Sequence, residues 1–300
     1  MDHPVVAGVD GSEPSLAAVD WAAREAASRG VALRLVHASP PLPDAAVPGP
    51  AADRLRRMGA HLLQRVAAGL GDRHPDVEVR GVQADGDPAQ ALLAAAREAG
   101  LLVVGARGTG GFDALAVGWV ALRVAAAAPC PVVMVPARPG GACAEGAHTP
   151  RDSQVVWGVD AHRPVSETAA FAFSAAEAHG ADLRAVHAWT LPAEAVSPQT
   201  LVVTEEDRAT WEDQEVLRLS DALLPWRERH PGVTVRTDVV LLHPAQALLH
   251  ASRGAALLVV GRRTDPPAGA DRAVPHALGP VTHAVLHHAR CPVAVVPHAG

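Results

Sequence analysis

Leu101-Leu-Val-Val-Gly105-Ala-Arg-Gly108-Thr-Gly-Gly-Phe-Asp-Ala-Leu-Ala-Val-Gly118 is the stretch on which the fold turns. It opens as a short apolar run, the mark of a strand buried on both faces. It breaks at Gly105 into a loop that also carries Gly108, Gly110 and Gly111. Gly118 then leads into Trp119–Ala128, which reads as a helix. Strand, glycine loop, helix is how a backbone turns free N–H groups toward an anion, because a Cβ would hold a phosphate away from the amides. The same pattern also serves as a plain turn.

Working outward, apolar runs alternate with segments of helical spacing. Upstream, strands are expected at Val5–Val9, Ala32–Ala38 and Val77–Val82. Helices are expected from Pro14 to Gly30, from Ala51 to Leu70, and from Pro88 to about Ala99. Downstream, Pro129-Cys130-Pro131 leads into a fifth strand, Val132–Val135. Alternation of this kind implies a parallel sheet with right-handed crossovers. Residues 138–154 have no periodicity and carry Pro, Gly and Ser, so they read as a linker between domains at 1–137 and 155–300.

The second domain repeats the first. Val5-Val-Ala-Gly-Val-Asp10 returns as Val155-Val-Trp-Gly-Val-Asp160, at an offset of 150. Gly30 and Gly180 keep that offset, as do Val36-His37-Ala38 and Val186-His187-Ala188. It becomes 156 for Pro88–Leu93 against Pro244–Leu249 and for Leu101–Gly105 against Leu257–Gly261. Cys130-Pro-Val and Cys291-Pro-Val are 161 apart. Self-similarity this dense means two copies of one α/β unit, with small insertions in the loops.

Composition narrows the function. Aromatic residues make up 3% of the chain and there is no tyrosine, which disfavours a site of stacked rings. The net charge is −6 and no Lys/Arg block stands out, against a nucleic-acid partner. No apolar run approaches the ~20 residues that span a bilayer. Met1-Asp2-His3 opens no leader pattern, so a cytoplasmic protein is expected, with no membrane partner. Three cysteines, Cys130, Cys143 and Cys291, do not suggest a disulfide framework.

In an open parallel sheet, ligands sit beyond the carboxyl ends of the strands, where strand order reverses. Asp10 ends the first strand and the Gly105 loop follows the fourth. If those strands are neighbours, a carboxylate and a phosphate loop face one crevice. The competing reading of Asp10 is a turn or capping aspartate.

At this point a family likeness becomes specific. The spacing Gly105-x2-Gly108-x9-Gly118, the opening Gly8-Val-Asp-Gly-Ser12, Val36-His-Ala38 and Ala128-Pro-Cys-Pro-Val132 resemble positions of the universal stress proteins, here in tandem. The resemblance implies two doubly wound α/β domains, each a five-stranded parallel sheet in order 3-2-1-4-5 with helices on both faces. It implies adenine-nucleotide binding, ATP or AMP with or without Mg, at Asp10, Ala38, Val104, Gly105, Arg107, Gly108, Gly118, Trp119 and Val120. The matching positions of the second copy are Asp160, Gly261 and Gly279. It also implies pairing of the two domains through the apolar edge strands 132–136 and 293–297; homodimerisation stays open.

The chain departs from that pattern. Trp119 stands where the family carries Ser or Thr, and Ala121 where a second hydroxyl is common. In the second copy Thr264 replaces the middle glycine, and Pro280 follows Gly279 and removes an amide donor. Thr282 keeps a hydroxyl and Arg262-Arg263 could offer charge. The second site is therefore expected to be altered or vacant and the first weakened. The expected function is a nucleotide-binding sensor or regulator of the stress response; the alternative is a structural or interaction protein with eroded sites.

No enzyme is expected, because no nucleophile–base pair or poised base is visible. His283, His287 and Cys291 fall four apart, but Pro292 implies the helix ends before the cysteine, so no metal is expected there. His37 and His187 read as packed or hydrogen-bonded histidines, and Arg54–Arg65 as a solvated helix face.

Overall fold

The computed structural model describes residues 3–39, 49–108, 117–136, 154–191, 204–264 and 278–299. They form two compact units. The first runs β1 (Val5–Gly8), α1 (Glu13–Arg29), β2 (Leu33–Ser39), α2 (Gly49–Arg73), β3 (Val79–Asp85), α3 (Pro88–Ala96), β4 (Leu101–Gly105), α4 (Trp119–Ala127) and β5 (Val132–Val135). Its strands are parallel in the order β3-β2-β1-β4-β5, so the expected 3-2-1-4-5 order holds. β1 and β4 are neighbours, with Val5 opposite Leu101 and Ala7 opposite Val103.

The second unit repeats this as β6 (Gln154–Gly158), α5 (Ser166–His179), β7 (Asp182–Trp189), α6 (Glu205–Arg229), β8 (Val235–Leu241), α7 (Pro244–Ala251), β9 (Leu257–Arg263), α8 (Pro280–His288) and β10 (Val293–His298). Its order is β10-β9-β6-β7-β8, again all parallel. The linker expected at 138–154 lies outside the described residues, except for Gln154, which opens β6.

Strands β1, β4 and β5 read as unbroken apolar runs because helices cover both faces. α1 packs on β1, β4 and β5, while α3 and α4 lie together on the opposite side. Leu101, Leu102, Val103, Val132 and Val133 are 0–1% exposed. Each such side chain contributes about 1.5–3 kcal/mol by leaving water, so alternation in these strands would cost more than it gained.

Local signals set the helix ends. Ser12 caps α1, its Oγ accepting from Ser15 N at 3.3 Å, with Pro14 in the first turn. Gly30 stops α1 and Gly180 stops α5, both with left-handed φ (65° and 57°). Two sequence expectations shift. The third strand, expected at 77–82, is Val79–Asp85, because β2 pairs with it residue by residue from Leu33–Val79 to Ser39–Asp85. Helix α3 stops at Ala96 rather than Ala99, and residues 97–99 close as turns bonded to the carbonyls three residues back.

Candidate functional site

Because β1 and β4 are adjacent, their carboxyl ends lie side by side in the first unit. Asp10 leaves β1 and enters the turn before α1. Its Oδ1 accepts from Ser12 N at 2.9 Å and from Ser12 Oγ at 2.6 Å, which is the turn aspartate weighed from sequence. Oδ2 faces the glycine loop. A Cβ built on Gly108 would lie 2.5 Å from Asp10 Oδ2, so carboxylate and loop backbone do converge.

The other candidates divide. Gly105 meets α1: a Cβ there would be 2.7 Å from the Pro14 carbonyl carbon and 2.9 Å from Ser15 N. That glycine is explained by helix docking. Gly118 is the N-cap of α4, and its N–H donates to Ala106 O at 2.7 Å. That amide is engaged within the backbone, so any contact of Gly118 with a ligand would be made by other atoms. Among the described residues no side chain caps α4, so the first-turn amides of Trp119, Val120 and Ala121 form the positive end of the helix dipole.

Trp119 is 56% exposed, its ring 5.8 Å from the Arg123 guanidinium one turn along. Arg123 in turn reaches Asp87 at 3.6 Å, at the start of α3. Ala38 is half-buried at the end of β2, opposite Ala84, and Val104 is buried in β4. Arg107 is half-buried beside the loop. Gly110 and Gly111 lie outside the described residues. A cavity of about 470 Å³ in this unit lies elsewhere, between β2, β3 and α3, lined by Arg34, Val82, Asp85 and Gln90 among others.

The second unit is built differently at the matching place. Unit one leaves the sheet after Gly105, but β9 continues through Arg262 and Arg263, paired with Pro297 and His298 of β10. Arg262 is thereby 4% exposed and lies in the sheet. The Thr282 hydroxyl donates to Gly261 O at 3.0 Å, so its proton is not directed at a ligand. Pro280 sits in the first turn of α8, where its missing N–H costs the helix nothing but removes a donor. Gly279 is the N-cap.

A cavity of about 440 Å³ nonetheless opens here, lined by Asp160, Arg163, Glu167, Gly261, Arg263 and His298 among others. Asp160 Oδ1 accepts from His162 N at 3.1 Å, and Oδ2 lies 3.6 Å from Arg163 Nε.

The histidines of the repeat behave as the sequence suggests, with one addition. His37 Nδ1 lies 2.7 Å from Val9 O, and its ring fills the space over Gly59 of α2, where a Cβ would come within 2.6 Å of His37 Cδ2. His187 makes the equivalent contact to Val159 O at 3.1 Å, but its Nε2 also meets Glu215 Oε2 at 3.0 Å. His162 Nε2 reaches the same oxygen at 3.0 Å. This grouping escaped the sequence reading because its members come from a loop, a strand and a helix. The visible signal was the replacement of Gly59 by Glu215 in the aligned helix.

His283 and His287 of α8 lie side by side with ring centroids 4.4 Å apart and planes tilted by 34°. Burial, then the charges of His283 and His288, push His287 below the usual histidine range. The helix ends at His288, and Cys291 lies beyond it. Burial raises the Cys291 thiol to about 11. At pH 8 its thiolate fraction is then on the order of 10⁻³. Pulsed alkylation with iodoacetamide, read by peptide mass spectrometry, is expected to label Cys291 at least about 100-fold more slowly in the native protein than after denaturation. Equal rates in both states would mean the thiol is open to solvent.

Comparison with known proteins agrees with this architecture. The model of the Universal stress protein family matches residues 1–136 and again 153–297. A universal stress protein of Mycobacterium tuberculosis is 33% identical over 98% of this chain and 96% of its own length. A second from the same species is 30% identical over 97% of this chain and 95% of its own. The crystal structure of a universal stress protein from Archaeoglobus fulgidus covers 98% of both chains with a TM-score of 0.69 at 16% identity, a likeness of fold alone. One family model matched twice, over two copies of one five-stranded unit, fixes the assignment: the chain belongs to the universal stress protein family.

Proposed function

We propose that the first unit binds an adenine nucleotide and that the protein acts in the stress response as a nucleotide-dependent sensor or regulator rather than as an enzyme. The observation that carries this reading is the meeting of Asp10 Oδ2 with the backbone at Gly108, beyond the ends of two adjacent strands. In this reading Asp10 accepts from a ribose hydroxyl or an adenine amino group. The phosphates then lie against the start of α4, which no described side chain caps and where first-turn amides and the helix dipole favour negative charge. Two hydroxyl donors are missing, each worth about 0.5–1.5 kcal/mol, so binding is weaker than a fully hydroxylated loop would give.

The second unit supports the alternative reading for its own half, an interaction domain without nucleotide. Its β9 runs on through Arg262 and Arg263, its Thr282 proton is spent on Gly261 O, and Pro280 withholds an amide. Among the described residues no helix is long and apolar enough to cross a membrane.

Calorimetric titration with ATP and AMP tests the proposal. One saturable site per chain is expected. Asp10→Asn keeps an oxygen for Ser12 while placing an NH₂ on the ligand side. It is expected to weaken binding roughly ten- to hundredfold, the equivalent of losing about 1.5–3 kcal/mol of hydrogen bonding to a charged group. Gly108→Val is expected to abolish binding by pressing on Asp10 Oδ2, 2.5 Å from the new Cβ, and to leave the unit folded because Gly108 is exposed and the atom displaced is the end of a side chain. No saturation at millimolar nucleotide, or binding indifferent to both substitutions, would overturn the first-unit site.

A further inference from the structure

We propose that His162, His187 and Glu215 of the second unit form a divalent transition-metal site of zinc type, separate from the nucleotide crevice of the first unit. His162 Nε2, His187 Nε2 and Glu215 Oε2 all lie within 4.8 Å of one another, and both imidazole nitrogens are 3.0 Å from the carboxylate oxygen. Ligand atoms around tetrahedral zinc, bonded at about 2.0–2.1 Å, stand about 3.3 Å apart. Small shifts of the His162 side chain, 52% exposed, bring the set to that spacing.

The hydrogen bonding of His187 supports a cation at this point. Its ring is 2% exposed, and Nδ1 lies 3.1 Å from Val159 O. If Nδ1–H donates to that carbonyl, the lone pair on Nε2 points at Glu215 Oε2, and two acceptors confront each other. If Nε2–H donates to Glu215 instead, Nδ1 can accept from Ala161 N at 3.3 Å, but it then faces the Val159 carbonyl lone pairs. Neither neutral tautomer satisfies both the carbonyl and the carboxylate. A doubly protonated imidazole satisfies both, and so does a neutral one that shares a metal ion with Oε2 through Nε2; cobalt spectroscopy separates the two. An imidazole that gives its distal N–H to a backbone carbonyl while its other nitrogen binds metal is the arrangement that orients metal-ligating histidines.

The remaining surroundings fit a three-ligand site. Glu215 Oε1 is held by Arg218 Nη1 at 2.5 Å, which leaves Oε2 to bind in monodentate fashion. The Arg218 charge opposes a divalent ion, and the two neutral imidazoles offset this by supplying most of the donor strength. Asp160 holds the His162 amide at 3.1 Å and so fixes the loop that carries the outermost ligand. Because that ligand faces solvent, a fourth position stays open to water or to a small donor.

The first unit acts as an internal control. The aligned positions there are Ser12, His37 and Gly59, and the His37 ring occupies the space above Gly59. One metal per chain is therefore expected, not two.

Zinc titration of the chelator-stripped full-length protein, with ATP omitted, tests this directly. One equivalent is expected to bind. Cobalt at the same site is expected to give the intense visible bands of a tetrahedral ion. His162→Ala removes an exposed side chain and leaves the core intact. It and Glu215→Gln are each expected to weaken zinc binding by more than about 100-fold, beyond the 10–100-fold that an outer-shell partner costs. Zinc uptake unchanged in both variants, or none with zinc in several-fold excess, overturns the site. So does cobalt uptake without the tetrahedral bands, which would mean that the three groups are only an ion-paired cluster.

Discussion

Trp157→Ala is expected to lower the stability of the second unit by about 3–5 kcal/mol, whereas Trp157→Phe is expected to change it by less than about 1 kcal/mol. Trp157 lies in the middle of β6, between Ala185 of β7 and Val259 of β9, and is 1% exposed. Its ring meets Phe173 of α5 edge-on at 6.3 Å, and Phe173 stacks on Trp226 of α6 at 5.9 Å. Removing the indole takes away the keystone between sheet and helix and leaves a large cavity. Phenylalanine keeps the aromatic contact and forfeits about 40 Å³, worth about 1 kcal/mol at the usual cavity cost.

Against that loss stands the indole Nε1, which is buried without a hydrogen-bond partner among the described residues. Deleting an unsatisfied buried donor recovers about 1–3 kcal/mol, enough to cancel the cavity. Guanidinium unfolding followed by far-ultraviolet circular dichroism measures both variants. A phenylalanine variant as unstable as the alanine one would mean that the indole N–H is satisfied after all.

The strands were legible because Val5–Ala7, Leu101–Val104 and their repeats are buried on both faces, and only continuous apolar runs survive there. The helix ends were legible because Ser12, Gly30 and Gly180 act through local chemistry, and strand order followed from the family likeness alone. What depends on distant partners was not legible. The end of β3 is set by its register with β2, and Gln83 and Asp85 look like loop residues until that pairing is seen. Arg262 carries a charge that reads as loop, yet β10 carries it into the sheet. The bond from Gly118 N to Ala106 O joins residues twelve apart and has no signature in the sequence. The His162–His187–Glu215 grouping joins three segments that no short motif connects.

Gly105→Ala is expected to destabilise the first unit by about 1–3 kcal/mol, and Gly105→Val by more, with or without nucleotide present. The obstacle is backbone. A Cβ at this position would lie 2.7 Å from the Pro14 carbonyl carbon, 2.8 Å from its oxygen and 2.9 Å from Ser15 N. Carbon atoms in good contact stand about 3.5–4.0 Å apart, so the first turn of α1 must move by roughly an ångström. That turn is pinned by Ser12, whose Oγ accepts from Ser15 N and whose N–H donates to Asp10. Moving it loosens the helix cap and the carboxylate together.

The paired glycine in the second unit provides the contrast. At Gly261 the nearest atoms belong to side chains, His298 Nε2 at 2.9 Å and Thr168 Cγ2 at 3.1 Å. Small rotations accommodate a methyl group there, and Gly261→Ala is expected to cost less than about 1 kcal/mol. Thermal unfolding of the two alanine variants beside Gly108→Val separates the roles that one glycine motif combines. Gly105→Ala lowers the melting temperature, while Gly108→Val leaves it nearly unchanged and acts on affinity. Weak nucleotide binding by a Gly105 variant therefore reports a displaced helix rather than a lost ligand contact. A Gly105→Ala protein that melts like the wild type would set α1 farther from β4 than the described backbone allows, and with it Ser12 and Asp10, which hang from the same turn.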